Sequence, residues 1–390
     1  MYKVAMLYYA PINQMDGASK VVRSFADNKQ IFEENDVMLD VYAPTTSNGA
    51  SGQSGEKKSI RKVLKNLLFG IDVAGIIRGY YGFFVRGRKA VKLYQASGNT
   101  NHDVFFLHEL TTCYNVIKLK KECKIVLVLH TGGDFFQILL KDYPLMRYTI
   151  FYNFFLKHVR KKVLKSVDKI VFNSKLAADN FKEIYTEVKD EIVTYVDNGI
   201  ADFEKPEEHL VHPQINIFNI VCVGTLHKRK GQVFIVDALS ELNKEDRDKT
   251  FFSIVGGGPI QAELLEKTKT YGIEKYIRFY GPQENVVPFL DKANIFILPS
   301  EEEGMPISIL EAMRSGLPIV STRVGGIPYQ VVEGGNGIFI EPSKEGVKQF
   351  ILHIRDYDWI TMGVKSRERY LELFSLSKTI KKYAEILKNA

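Results

Sequence analysis

The chain has almost no cysteine, a single tryptophan and no long apolar run. Cys113, Cys123 and Cys222 are its only cysteines. They are scattered and odd in number, so neither a disulfide framework nor a thiolate metal site accounts for them, and free thiols of a reducing compartment are expected. No apolar stretch reaches the roughly 18 residues of a spanning helix. The better candidates are interrupted, for instance by Arg78 and Lys157. Residues 2–9 carry no basic region ahead of a long apolar core, so no secretory leader is expected. There is no short-period repeat. Acidic residues do not recur with metal-ligand spacing, so neither a metal nor another cofactor is expected.

What is present is an ordinary globular composition, 45% apolar and 25% charged, over 390 residues. That length suits two domains, each able to bury its own core. The formal charge is +7, and it is unevenly spread. Residues 56–92 hold ten bases against Glu56 and Asp72. Within them Ile60, Val63, Leu64, Leu67, Leu68 and Ile71 recur at helical spacing, followed by Phe69, Tyr80, Tyr81, Phe83 and Phe84. A basic amphipathic helix with aromatics is the pattern of a membrane-surface element. Each such base near an anionic leaflet contributes roughly 1 kcal/mol. The plainer reading is a domain helix whose apolar face is core. No nucleic-acid recognition motif accompanies the charge, so nucleic acid is not expected as a partner. Residues 146–165 form a second aromatic and basic helix and a second candidate for lipid contact.

The rest of the chain alternates short apolar runs with helical stretches. Strands are expected at 3–9, 37–43, 103–107, 124–129, 169–173 and 192–196. Five more follow at 220–223, 251–255, 277–280, 295–298 and 319–321. Such alternation builds parallel, doubly wound sheets. Residues 204–216, charged and proline-bearing with no clear period, read as a hinge. A final helix is expected at 375–387. The triple glycine 256–258 is weak as a dinucleotide signal, because no third glycine follows at the required spacing.

The most informative stretch is 294–316. An apolar strand ends at Pro299-Ser300, an acidic loop runs from Glu301 to Gly304, and Pro306 opens a helix that Gly316 stops. In open α/β sheets that carboxyl edge is where ligands bind. A helix N-terminus offers free amides and a partial positive charge to a phosphate, and Gly304 allows close backbone approach. Glu303 and Glu311 would then accept hydrogen bonds from sugar hydroxyls. Acids near a helix start also simply stabilise its dipole. A second loop, Gly224-Thr225-Leu226-His227-Lys228-Arg229-Lys230-Gly231, places three cations just before a helix. That opposes the dipole unless an anion is held there, and a diphosphate is the natural partner. His130 follows a β-branched strand and precedes Gly132-Gly133.

Glu303-Gly-Met-Pro-Ile-Ser-Ile-Leu-Glu311, with Ala312-Met313 and Gly316-Leu-Pro318 after it, resembles the Glu–seven–Glu signature of retaining glycosyltransferases of family 4. The resemblance spans nearly the whole chain, strongest over 220–341 and weakest over 45–100. It implies an α/β chain of two Rossmann-like doubly wound domains facing across a cleft, the GT-B fold. The expected bounds are 1–205, joined by the helix 374–390, and 206–373. It implies that Glu303 and His130 contact the donor sugar and Glu311 the ribose. Lys230, with the amides near Met305 and Ile307, would serve the diphosphate beside Gly17, Thr225, Gly304 and Pro306. Two positions depart from the family pattern. Ala18 stands at the second glycine of the Gly17 loop, and Thr225 stands where the family has arginine, so Arg229, or as second choice Lys228, is expected to supply the missing charge.

The resemblance implies metal-independent, retaining transfer of a hexose-type sugar from a nucleotide diphosphate donor, UDP-sugar foremost and GDP-mannose next. The acceptor would be a glycan, lipid-linked, in surface polysaccharide or glycoconjugate synthesis. The enzyme would be cytoplasmic and peripheral on the inner membrane face, bound through 56–94. Two alternatives stay open: a nucleotide-sugar epimerase of the same fold, and a non-catalytic partner subunit, to which Thr225 and Ala18 point.

Overall fold

The structure is a computed structural model and describes residues 1–12, 17–44, 83, 85–99, 101–119, 122–136, 150–203 and 216–390. The chain divides into two compact units, Met1–Val196 with Ile380–Ala390, and Asp197–Thr379. Each is built on a six-stranded sheet, and every strand pairing is parallel.

In unit 1 the strands are β1 (Tyr2–Leu7), β2 (Val37–Tyr42), β3 (Val104–Leu107), β4 (Lys124–Leu129), β5 (Lys169–Phe172) and β6 (Val193–Tyr195). Their spatial order is β2-β1-β3-β4-β5-β6. β3 is buried throughout and β4 at all but its first residue, as expected of parallel strands covered on both faces. The helix Gly17–Asp27 buries Val21, Val22 and Phe25. The Phe25 ring meets Phe106 and Tyr383 with centroids 6.1 and 5.3 Å away. Tyr383 lies on the last helix, Leu376–Lys388, whose residues from Ile380 onward belong to unit 1.

Unit 2 contains β7 (Phe218–Val223), β8 (Thr250–Val255), β9 (Ile277–Gly281), β10 (Ile295–Leu298), β11 (Ile319–Ser321) and β12 (Gly337–Phe339). They are ordered β12-β11-β10-β7-β8-β9. The chain builds outward from β7 to β9, then returns to the other side of β7 and builds outward again. The reversal lies between β7 and β10, and ligands of open α/β sheets bind beyond the carboxyl ends of such a pair. In unit 1 the corresponding reversal is between β1 and β3.

The hinge expected over 204–216 lies almost wholly outside the described residues. The segment before it is anchored in unit 2. Arg314 donates to the Ala201 carbonyl at 2.7 Å, Tyr370 to that of Ile200 at 2.8 Å, and Arg367 grips both carboxylate oxygens of Asp202 at 2.6 and 2.9 Å. The residues from Asp197 onward accordingly group with unit 2, short of the expected bound at 205. The amphipathic repeat at 60–71 also lies outside the described residues. The downstream end of the basic segment is the helix Arg88–Ala96, which buries Ala90, Val91 and Tyr94 in the core of unit 1. Among the described residues, no helix is long and apolar enough to cross a membrane.

Candidate functional site

The loops after β7 and β10 are interlocked. Lys228–Lys230 form a single 3-10 turn, begun by His227, whose ring Nδ1 accepts from the Arg229 amide. Gly231 closes the turn with φ +70°, and a Cβ there would sit 1.9 Å from the Pro299 carbonyl oxygen. Glycine therefore lets the cationic turn lie directly on the end of β10. The Glu301 amide then donates to the Arg229 carbonyl at 2.8 Å, and the Arg229 guanidinium donates to the Glu302 carbonyl at 3.0 Å.

This contact brings the charged groups together. The Lys230 ammonium donates to Glu303 Oε1 at 2.5 Å, and the Arg229 guanidinium lies 3.6 Å from Oε2. Ser300, at the end of β10, donates to the same Oε1 at 2.7 Å. The Glu303 side chain is 4% exposed, Lys230 13% and Arg229 35%. One buried carboxylate is thus shared by two cations, which leaves the cluster with a net positive charge, and a buried charge needs such partners. Beneath them, burial pushes the Cys222 thiol up to about 12, with smaller opposing contributions from Lys230 and Glu303. Cys222 is a neutral filler of the core.

A third loop backs the acidic one. Gly325 has φ +53°, and a Cβ there would lie 1.7 Å from the Glu303 carbonyl oxygen. The Gly326 amide donates to the Gly304 carbonyl at 2.5 Å. Gly304 itself would carry a Cβ into open space, so its other side is free for close approach. The helix Ile307–Arg314 starts directly after Pro306 without a side-chain cap, and the Pro306 carbonyl accepts from buried Gln330 at 3.0 Å. Met305 is buried, Ile307 half-buried, and Glu311 half-buried on the same helix. Thr225, at the position where the family has arginine, is exposed, and its carbonyl accepts from Gln232 at 3.1 Å.

The structure therefore brings together Lys230, Arg229 and Glu303, with Glu311 one turn into the adjoining helix. Sequence reasoning missed Ser300 and the role of Gly231. A small hydroxyl at the end of a fully buried strand, and a glycine just after a cationic run, were the available signals. Replacing Gly231 by valine is expected to lower thermal stability and weaken anion binding together, measured by melting with and without pyrophosphate. The Cβ must displace either the turn or Pro299.

In unit 1, His130 follows β4 and is half-buried. Its Nε2 lies 3.2 Å from Nδ1 of His108, which follows β3, and the two rings stack with centroids 5.5 Å apart. His108 is 1% exposed and packs against Phe106 and Phe25. Burial, reinforced by His130, holds its pKa well below the usual 6.5. His108 is thus a neutral partner whose single proton and lone pair set which His130 tautomer is presented. Next to it, Glu109 caps the helix Leu110–Val116 through the Thr111 and Thr112 amides. Gly17 opens its helix, and residues 13–16 of the loop before it lie outside the described residues.

The His108 shift has a pH consequence. The unfolded chain takes up this proton near 6.5, and the folded chain only at lower pH. The unfolded state therefore binds more protons below that point, and stability falls as pH drops through it. A His108→Phe variant is expected to lose less melting temperature than wild type between about pH 7 and about pH 5. Parallel pH dependence in the two proteins would contradict it.

Among the described residues, no group of three or more His, Cys, Asp or Glu is placed to hold a metal ion.

Comparison with known proteins shows what this geometry is similar to. Residues 217–356 match the family described as Glycosyl transferases group 1. The N-acetyl-alpha-D-glucosaminyl L-malate synthase of Bacillus anthracis is 31% identical over 53% of this chain and 49% of its own length. The D-inositol 3-phosphate glycosyltransferase of Corynebacterium diphtheriae is 33% identical over 30% of each chain. The chain thus spans half or less of the length of these relatives. Among solved structures, Anabaena Alr3699/HepE in complex with UDP and glucose is similar over 100% of both chains, with a TM-score of 0.67 at 15% identity. Sucrose-phosphate synthase from Thermosynechococcus elongatus gives 0.70 at 16% identity, over 100% of this chain and 99% of that one. At such identities these structures show the fold alone. The two parallel sheets thus have the GT-B fold of these structures, and residues 217–356, which carry the interlocked loops, match the glycosyl transferases group 1.

Proposed function

We propose that this protein transfers a hexose-type sugar from a nucleotide diphosphate donor to a growing glycan, with retention of anomeric configuration. The observation that carries the reading is the Lys230–Glu303–Arg229 cluster at the carboxyl ends of β7 and β10. A departing diphosphate needs its charge taken up as the sugar becomes oxocarbenium-like. Lys230, Arg229 and the uncapped amides at the start of Ile307–Arg314 are preorganised for that.

Glu303 is shared by both cations, with one positive charge left over. A bound diphosphate would compete for them and release the carboxylate to accept sugar hydroxyls. Glu311 would receive the ribose hydroxyls. His130, oriented by His108, would hydrogen-bond the sugar; this role rests on the resemblance. Front-face attack assisted by the leaving phosphate accounts for retention without a protein nucleophile. These cations also make a metal unnecessary, so transfer is expected to continue in excess EDTA. Complete loss in EDTA with recovery on adding magnesium would reject metal independence.

A UDP-sugar is favoured as donor, supported by a similar structure in complex with UDP and glucose. GDP-mannose is the next choice, since one relative is a GDP-mannose-dependent mannosyltransferase of Mycolicibacterium smegmatis. A relative from Erwinia amylovora that serves amylovoran biosynthesis supports a surface polysaccharide as product. We place the enzyme in the cytoplasm, against the inner membrane face, acting on a lipid-linked acceptor.

A panel of UDP-, GDP- and ADP-sugars, scored by thermal stabilisation and then by product analysis, tests the reading. One donor class should stabilise the protein and yield an acceptor-dependent product of retained anomeric configuration. Release of an epimer without acceptor would replace the reading with epimerisation. Binding without turnover would replace it with the partner-subunit alternative.

A further inference from the structure

The amino-terminal edge of the unit 1 sheet, opposite the edge that carries His130, holds a cleft of about 660 Å³. Its walls are the end of the helix Ile150–Leu164 and the loop that leads into β6. Lys157, Arg160, Lys161, Lys165 and Lys189 line it, against two carboxylates, Glu187 and Glu191. The carboxylates are already engaged, Glu187 with Arg160 at 2.9 Å and Glu191 with Lys189 at 3.5 Å. Among the described residues, Lys157, Lys161 and Lys165 have no carboxylate partner. All three are exposed.

Their spacing places them on one helical stripe, and one turn ahead on that stripe stands Phe154, 75% exposed. The helix spends its other face on the core, where Phe155, Val159 and Val163 are buried. The exposed stripe therefore combines an apolar ring at one end with three uncompensated ammonium groups beside a cleft of headgroup size. Like charges gathered this way repel one another unless an anion is held among them.

We propose that this cleft binds the phosphate headgroup of an anionic phospholipid, with Phe154 entering the interfacial layer. Phosphate is the chemistry that three uncompensated cations around one recess select. The aromatic ring selects the lipid over free phosphate, because exposed rings of this kind belong at the membrane–water interface. The inference deepens the membrane association proposed above, but it stands on described residues that do not include the 56–82 stretch. It requires nothing of the transfer chemistry.

The test is co-flotation of the full chain with phosphatidylcholine vesicles, with and without phosphatidylglycerol, and with inorganic phosphate as competitor. Wild type should partition onto the anionic vesicles only, and added salt should release it. Replacing Lys157, Lys161 and Lys165 together by glutamine should weaken partitioning roughly 100-fold, given about one energy unit of a kcal/mol per base. Phe154→Ser should weaken it about 10-fold while leaving the salt dependence unchanged. Circular dichroism melting checks that both variants fold.

A companion variant with glutamine at Lys57, Lys58, Arg61, Lys62 and Lys65 separates the two surfaces. Loss with the companion alone would keep membrane association and overturn the cleft. Unchanged partitioning of the cleft variants would overturn it as well. So would equal sensitivity to inorganic phosphate and to lipid, or tight binding of a single-stranded oligonucleotide abolished by the same substitutions.

Discussion

Replacing Lys230 by alanine is expected to lower the transfer rate roughly 100- to 1000-fold, the cost of deleting one preorganised charge-stabilising donor. The Lys230 ammonium is the better buried of the two cations, 13% exposed against 35% for Arg229. Its surroundings are screened least by water, so its charge acts at nearly full strength on a developing phosphate. The loss should fall mainly on kcat/KM and kcat together, because the interaction grows as the diphosphate departs. Affinity for the nucleoside diphosphate should drop as well. Arg229→Ala, at the more exposed position, should cost less. Turnover of the Lys230 variant at the wild-type rate would remove the lysine from the chemistry.

Replacing Glu303 by glutamine should cost a similar factor in rate, roughly 100- to 1000-fold, but with the opposite effect on the product. The carboxylate holds Lys230 and Arg229 and accepts a hydrogen bond from Ser300. Without its charge the cations are uncompensated, so a nucleoside diphosphate should bind more tightly even as sugar transfer fails. Removing one member of a buried ion pair costs stability on the order of 3–5 kcal/mol. The variant should therefore melt early alone and recover much of that on adding UDP or GDP, whichever the protein uses. Weaker product binding in Glu303→Gln would sink the idea that donor and carboxylate compete for the same cations. Combining both substitutions should give less than the sum of the two losses, because each removes the other's partner.

Much of this arrangement was legible in the sequence, for reasons that differ by element. The runs Lys124–Leu129 and Ile295–Leu298 are nearly pure β-branched or aliphatic residues, so the strands stand at the expected bounds. β12 escaped because it is three residues long and begins with glycine, which reads as loop. The helix after Glu303 was expected to include Pro306; instead the proline is its extended N-cap, at ψ 121°, and the first helical residue is Ile307.

Candidate site residues tied to local pattern, Lys230 and Glu303, stand out in their loops, and the structure brings the two together. Partners chosen by the sheet do not stand out in this way. His108 and His130 are 22 residues apart and meet only because β3 and β4 are adjacent. Ser300 offers no charge and no period, and its place is known only once Glu303 folds back over it. The basic stretch from residue 56 to residue 82 carries a strong charge signal but lies outside the described residues.

The backbone bond from Glu301 to the Arg229 carbonyl has a mechanical meaning. It fastens the acidic loop to the basic one, so neither can swing away by itself. Their amides should exchange with deuterium at a common rate, as one latch. A ligand that stiffens one side should slow the clock on the other, although the two strands are separated by more than seventy positions in the chain.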